Sequence, residues 1–242
     1  MSKVASSTPR PNEWQRIGAE FVGTFLLTFA AAGADAVEYA TGGGIGHVAR
    51  YVAPALVVMA MIWSLSGISG AHINPAVTLA FVARQCFPLT RIPGYLLAQF
   101  GGAIAAAAVI AGLLGPAIQH GVNEPLPPFT DINGLITEAV LSFALVFTIL
   151  ATAEEEAVVG KNAALAICGI IAMCGLAFSP LSGASMNPAR SLGPAIVAGK
   201  FEHIWLYLIG PVIGALVAAT IVRLLFGGAS QAAHKAALGK NE

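Results

Sequence analysis

Apolar residues in this chain do not alternate in short runs. They come in blocks of about twenty, rich in glycine and alanine and carrying few charges. Six blocks approach or exceed the length that spans a hydrocarbon core of roughly 30 Å, about 17–25 helical residues. They cover about Trp14–Gly33, Tyr51–Ile68, Ile92–Leu114, Ile132–Thr152, Asn162–Phe178 and His203–Phe226. Two further helical stretches, about Asn74–Ala83 and Asn187–Val197, are half as long. Each would rise only about 15 Å. Polar tails at residues 1–13 and 227–242 frame the apolar region, and a loop carrying Pro116, Pro125, Pro127 and Pro128 divides it. The pattern predicts an all-α membrane protein. Residues 14–226 form one body of six transmembrane helices plus two re-entrant half-helices.

The two short stretches carry the strongest signal. Ser69-Gly-Ala-His72-Ile-Asn74-Pro75-Ala76 returns as Ser182-Gly-Ala184-Ser-Met-Asn187-Pro188-Ala189. Asn is a strong helix N-cap, and Pro suits the first helical position. Both copies are therefore helix starts placed just after an apolar span. The frame around Glu20 (Glu-x-Val-x-Thr-Phe-x-Leu-x-Phe) also returns around Glu138 as Glu-x-Val-x-Ser-Phe-x-Leu-x-Phe, 118 residues on; the Asn-Pro-Ala copies are 113 apart. Each half, about 14–114 and 132–226, holds three spans and one half-helix. Three is odd, so the second half enters from the opposite face of the bilayer, giving an inverted repeat.

Composition narrows the function. Of 242 residues, 57% are hydrophobic and 10% charged, with a mean hydropathy of +0.78; soluble domains carry about 25% charged residues. Net charge is zero and the twelve Lys and Arg are scattered, so no nucleic-acid surface is indicated. Cys86, Cys168 and Cys174 lack metal-ligand spacing and read as small apolar fillers, leaving no cofactor or metal to expect. No nucleophile stands beside a base, which argues against an enzyme. No cleavable leader precedes the first span. With the amino terminus inside, the inner segments hold Lys3, Arg10, Arg16, Arg84, Arg91, Lys161, Arg223, Lys235 and Lys240, against Arg50, Arg190 and Lys200 outside. The positive-inside rule then places both termini in the cytoplasm of a cell membrane. The acidic run Glu154–Glu156 falls on the inner side too.

Two half-helices meeting at mid-depth require a buried or water-lined path, since lipid tolerates no irregular backbone. Their N-terminal dipole ends repel cations. The amide groups of Asn74 and Asn187 would offer two donors to a passing oxygen and so interrupt a proton wire. An intramembrane Arg such as Arg190 is a functional-site candidate by default. Small residues at Gly101–Gly102–Ala103, Gly210 and Gly214 suggest close helix packing.

These motifs, over roughly Glu13–Phe226, resemble the aquaporin, or major intrinsic protein, family. The resemblance implies the aquaporin fold and a passive channel in the lipid bilayer for water and small neutral solutes, assembled as a homotetramer with one pore per protomer. It also implies that Glu20 and Glu138 accept bonds from the loops entering the half-helices, and that His72 lies near the inner mouth. The outer selectivity filter would comprise Pro54, Gly175, Ala184 and Arg190. Pro54 is the weakest member. It could sit in the first turn of its span, with Leu56 or Val57 facing the lumen instead.

Small residues beside one Arg imply a wide constriction. That is similar to the nodulin-type plant channels and their bacterial relatives, whose solutes include glycerol, urea, and boric, silicic and arsenous acids. Ser191 departs from dedicated glycerol channels, which carry Asp there. A water-selective channel is the alternative. A secondary transporter is a further one, weakened by the lack of a carboxylate beside either helix break.

Overall fold

The computed structural model describes residues 10–154 and 162–239 of the chain. Lys3, Lys161, Lys240, Glu155 and Glu156 from the charge reading lie outside them. Among the described residues, six long helices are apolar enough to span a bilayer: α1 (Glu13–Ala40), α2 (His47–Ser69), α4 (Ile92–Leu114), α5 (Asp131–Ala153), α6 (Ala163–Ser182) and α8 (Ile204–Phe226). Two short ones, α3 (Pro75–Ala83) and α7 (Pro188–Ala198), complete the eight expected.

Several boundaries move outward for identifiable reasons. Helix α1 starts on a capping box in which Asn12 and Gln15 exchange side-chain-to-backbone bonds. It continues past Gly33 because its polar end is satisfied. Asp35 pairs with Arg50, and Glu38 accepts the N–H groups of Ile45 and Gly46, each at 2.9 Å. Pro54 lies a full two turns into α2, which begins at His47, rather than in its first turn.

Small residues set the packing. A Cβ on Gly102 of α4 would sit 2.4 Å from the Phe21 carbonyl oxygen of α1. One on Gly214 of α8 would sit 2.1 Å from the Ala139 oxygen of α5, and Gly210 faces the Cβ of Glu138. These are the glycines the sequence marks for close approach, and the two helix pairs are equivalent under the repeat. Gly101 packs less tightly, against the Phe21 ring. Gly193 of α7 lies on the Ala103 backbone, so the second half-helix is seated directly on a span. Large apolar side chains such as Leu97, Leu113 and Leu224 are exposed on the outside of the bundle, as lipid contact requires.

The half-helices point head to head. Helix α3 ends at Arg84, at the end of the bundle where both termini lie. Helix α7 ends at Gly199 beside Lys200, at the opposite end, where Lys200 reaches Glu124. The stretch read as a polar tail from residue 227 onward folds back instead. Ser230 caps a ninth helix, α9 (Gln231–Leu238), whose Ala233 and Ala237 are buried against the bundle.

Candidate functional site

Where α3 and α7 meet, each Asn closes its own cap. Asn74 Oδ1 accepts Ala76 N–H at 2.9 Å, and Asn187 Oδ1 accepts Ala189 N–H at 3.0 Å. Pro75 and Pro188 occupy the first helical positions. The two amides then cross. Asn74 Nδ2 donates to the Met186 carbonyl at 2.8 Å, and Asn187 Nδ2 donates to the Ile73 carbonyl at 2.9 Å. An amide nitrogen carries two hydrogens, so one of each pair is spent on the opposite loop. The sequence reading left both free; the geometry leaves one N–H per Asn. Both residues are wall residues of the same cavity.

The loops entering the half-helices are strained in parallel. Gly70, Ala71 and Ile73 in one, and Gly183, Ala184 and Met186 in the other, all have positive φ. For Ile73, β-branched at φ 45°, this is a costly conformation that surrounding structure must impose. Glu20 and Glu138 impose it. Glu20 accepts the N–H groups of His72 (2.9 Å) and Ile73 (2.6 Å), and Glu138 those of Ser185 (2.8 Å) and Met186 (2.7 Å). The preceding serines, Ser69 and Ser182, donate to the same carboxylates. Carboxylates do therefore lie beside both breaks, contrary to the sequence expectation. Both oxygens of each are engaged by donors. Two tyrosines complete the symmetry, Tyr95 Oη bonding the Ser69 carbonyl and Tyr207 Oη that of Ser182. Their 112-residue separation nearly matches the 113-residue motif repeat, so the pair is marked in the sequence as well.

His72 is buried, with Nδ1 3.1 Å from Thr78 Oγ1 and Nε2 3.0 Å from the Ala237 carbonyl of α9. Its repeat partner Ser185 makes the equivalent contact, 2.5 Å to Ser191. His72 also lines the lumen, so packing and pore-lining roles coincide.

A cavity of about 630 Å³ runs from the Asn74–Asn187 junction toward the end that carries both termini. Its wall is mostly apolar. Helix α2 supplies Val58, Ile62 and Ser66, and α6 supplies Ile167 and Ile171. Both series have a spacing of four, so each forms one helix face. Extending them one turn past the junction reaches Pro54 and Gly175. Pro54 is buried, whereas Leu56 is about half exposed.

Beyond the junction, Gly175 is not bordered by empty lumen. A Cβ there would meet Tyr51 Cβ at 2.7 Å and Cγ at 3.0 Å. Tyr51 stacks at a tilt on His47 and lies under the Arg50 guanidinium. The wide constriction implied by the small residues takes no account of Tyr51, because only packing reveals which residue of α2 faces a glycine on α6. Arg190 is buried. Its Nη1 donates to the Gly121 carbonyl (3.1 Å) and to Asn123 Oδ1, and its Nη2 to Asp35 Oδ2 (3.2 Å). Asn123 also accepts from Ser191 at 2.9 Å. Asp35 and Asn123 carry no sequence signal for this role. Among the described residues no group of His, Cys, Asp and Glu could hold a metal, and the three cysteines are unpaired.

The family model for "Major intrinsic protein" matches residues 7–222. The chain belongs to the major intrinsic protein family. It is 41% identical to Aquaporin NIP1-3 of Oryza sativa subsp. japonica, over 87% of this chain and 73% of that one. It is 38% identical to Aquaporin NIP6-1 of Arabidopsis thaliana, over 91% and 73%. Among solved structures, the aquaglyceroporin from Plasmodium falciparum superimposes with a TM-score of 0.78 at 23% identity, covering 89% of this chain and 97% of the other; that likeness bears on the fold. As a major intrinsic protein, the chain is a multi-pass membrane channel for water and small uncharged solutes, and not an enzyme.

Proposed function

We propose that this major intrinsic protein passes water together with small hydroxylated neutral solutes such as glycerol, urea and boric, silicic or arsenous acid, down their gradients. It does so as a homotetramer in the cell membrane, with both termini in the cytoplasm. The crossed amides of Asn74 and Asn187 carry the reading. They hold two helix N-termini against one point of the lumen and leave a donor from each, an arrangement that admits neutral oxygen-bearing molecules and opposes cations. Arg190, Ala184, Gly175 and Pro54 form the outer filter, where one fixed guanidinium supplies the donors.

Ion-coupled transport is disfavoured because Glu20 and Glu138 have both oxygens occupied by donors and so offer no site for a coupling ion. A water-selective channel is the second reading. It is favoured by one observation, the Tyr51 side chain standing where Gly175 leaves room.

Stopped-flow shrinkage of reconstituted vesicles tests both. Glycerol and boric acid flux that rises linearly with concentration and needs no ion gradient supports the wide channel. Water flux without solute flux supports the narrow one. Saturation with gradient dependence overturns the channel reading.

A further inference from the structure

We propose that Asp35 is the positioning residue of the filter. The inference rests on reading Arg190 as the filter guanidinium. Asp35 Oδ2 accepts Arg190 Nη2 at 3.2 Å, while Oδ1 accepts Arg50 Nε at 2.8 Å and lies 2.7 Å from Arg50 Nη2. Arg50 in turn covers Tyr51, its guanidinium carbon 5.5 Å from the ring centroid, and Tyr51 packs on Gly175. One carboxylate thus ties together the guanidinium and the aromatic wall of the same constriction. It also offsets one of two positive charges at the mouth. Charge-assisted bonds of this kind are short and directional. Without Asp35, Arg190 is held through Nη1 alone and its Nη2 is free to turn into the path of larger solutes.

The test is a double-mutant cycle on the glycerol-to-water permeability ratio, using Asp35→Asn, Arg190→Ala and the pair. Asp35→Asn lowers the ratio by about fivefold, the scale of one charge-assisted bond, and Asp35→Glu restores most of it. In the Arg190→Ala background the same change has no further effect, which a general loosening of the fold would not reproduce. An unchanged ratio in Asp35→Asn, or additive effects in the pair, overturns the proposal. If Arg190→Ala itself leaves the ratio unchanged, the filter assignment fails instead. Should Asp35→Asn not fold, Arg50→Gln is read in its place: a lowered ratio supports the positioning role and an unaltered one overturns it.

A separate observation at the other mouth carries a second inference: α9 is a plug. Ala232, Lys235 and Ala236 of α9 form part of the cavity wall at the end where the termini lie. Its last turn is pinned on three sides. His72 Nε2 lies 3.0 Å from the Ala237 carbonyl, Arg16 donates to the Leu238 carbonyl, and the carbonyls of Ala236 and Ala237 rest on Gly70, where no Cβ would fit. Its first turn hangs on Glu154, which accepts Ser230 N–H at 2.9 Å. The helix follows the last span, so releasing it leaves the six-helix body intact. Deleting residues 229–242, or placing a charge on the buried face with Ala237→Glu, raises water permeability per channel severalfold. Unchanged permeability in both variants, at equal incorporation, overturns the plug.

Discussion

Residues that hold backbone, rather than residues that touch solute, set the junction. Glu20 and Glu138 are fully buried and each accepts two N–H groups from a loop with positive φ. Losing an acceptor leaves buried donors unsatisfied at about 1–3 kcal/mol each. Glu138→Ala strands the N–H groups of Ser185 and Met186 and the hydroxyl of Ser182. The prediction is a loss of several kcal/mol, read as a lower thermal unfolding midpoint in detergent. A midpoint within error of wild type would contradict the holding role.

Enlarging Gly175 tests the contact between α2 and α6. The new side chain meets the base of Tyr51, not open lumen. Gly175→His is predicted to destabilise the α2–α6 contact by roughly 1–3 kcal/mol, the usual cost of overpacking. Adding Tyr51→Ala should recover most of it, and both are read by the same unfolding assay. The motif residues Asn74, Asn187 and Arg190 were legible because rare polar groups in apolar sequence have few explanations. Tyr51, Asp35 and Asn123 were not, because each acts through a neighbour distant in sequence.

At the scale of elements, the half-helices were readable from caps and length, and the span pairing from small residues. Residues 227–239 were not legible as a docked helix because a short polar stretch carries no periodicity strong enough to distinguish one from a free tail. The glycines make the packing testable by contrast. Gly214→Ala brings a methyl to about 2 Å from the Ala139 oxygen, which forces α5 and α8 apart. It is predicted to cost roughly 1–3 kcal/mol. Gly112→Ala, in α4 with nothing within 4 Å, should fall within about 1 kcal/mol of zero on the stabilising side. Equal unfolding midpoints for the two variants would show that close approach is not what selects glycine at 214.

The anchor of α9 also has a pH sign. Burial raises the Glu154 carboxyl, but the bonds from Ser230 and Arg84 outweigh it and hold the group below the usual carboxylate range. Arg84 Nη2 lies 2.5 Å away, and among the described residues Cys86 is a further titratable neighbour. A depressed carboxylate stabilises above its free pKa and loses that contribution as pH falls through the lowered value. Protection of residues 231–238 against limited proteolysis should therefore be constant from pH 8 to about 5. Release is expected only in stronger acid, and loss of protection near neutral pH would show that a different group anchors the helix.

For the molecule as a whole, the inverted repeat and the charges constrain orientation together. Three spans per half bring the chain back after two halves, so both termini share one end. Arg16 binding the Leu238 carbonyl fixes that directly. The same end gathers Arg84 with Glu154 and Arg91 with Glu13, whereas Arg50, Arg190 and Lys200 belong to the other. Arg50 and Arg190 share Asp35 and Lys200 reaches Glu124, so the positive charge of that end is largely offset. Topology follows the uneven distribution of Lys and Arg close to span ends, which supports the proposed placement of the Arg84–Arg91 end in the cytoplasm. Of the native thiols, Cys86 and Cys174 are buried, and Cys168, partly exposed within α6, is replaced by serine before labelling. A cysteine at Glu202, exposed in the turn before α8, should react with a membrane-impermeant maleimide on intact cells. One at Gly228, with open space around it, should react only after permeabilisation. Reversed labelling would turn the molecule over and put Arg190, Asp35 and Tyr51 on the cytoplasmic side, with α9 outside.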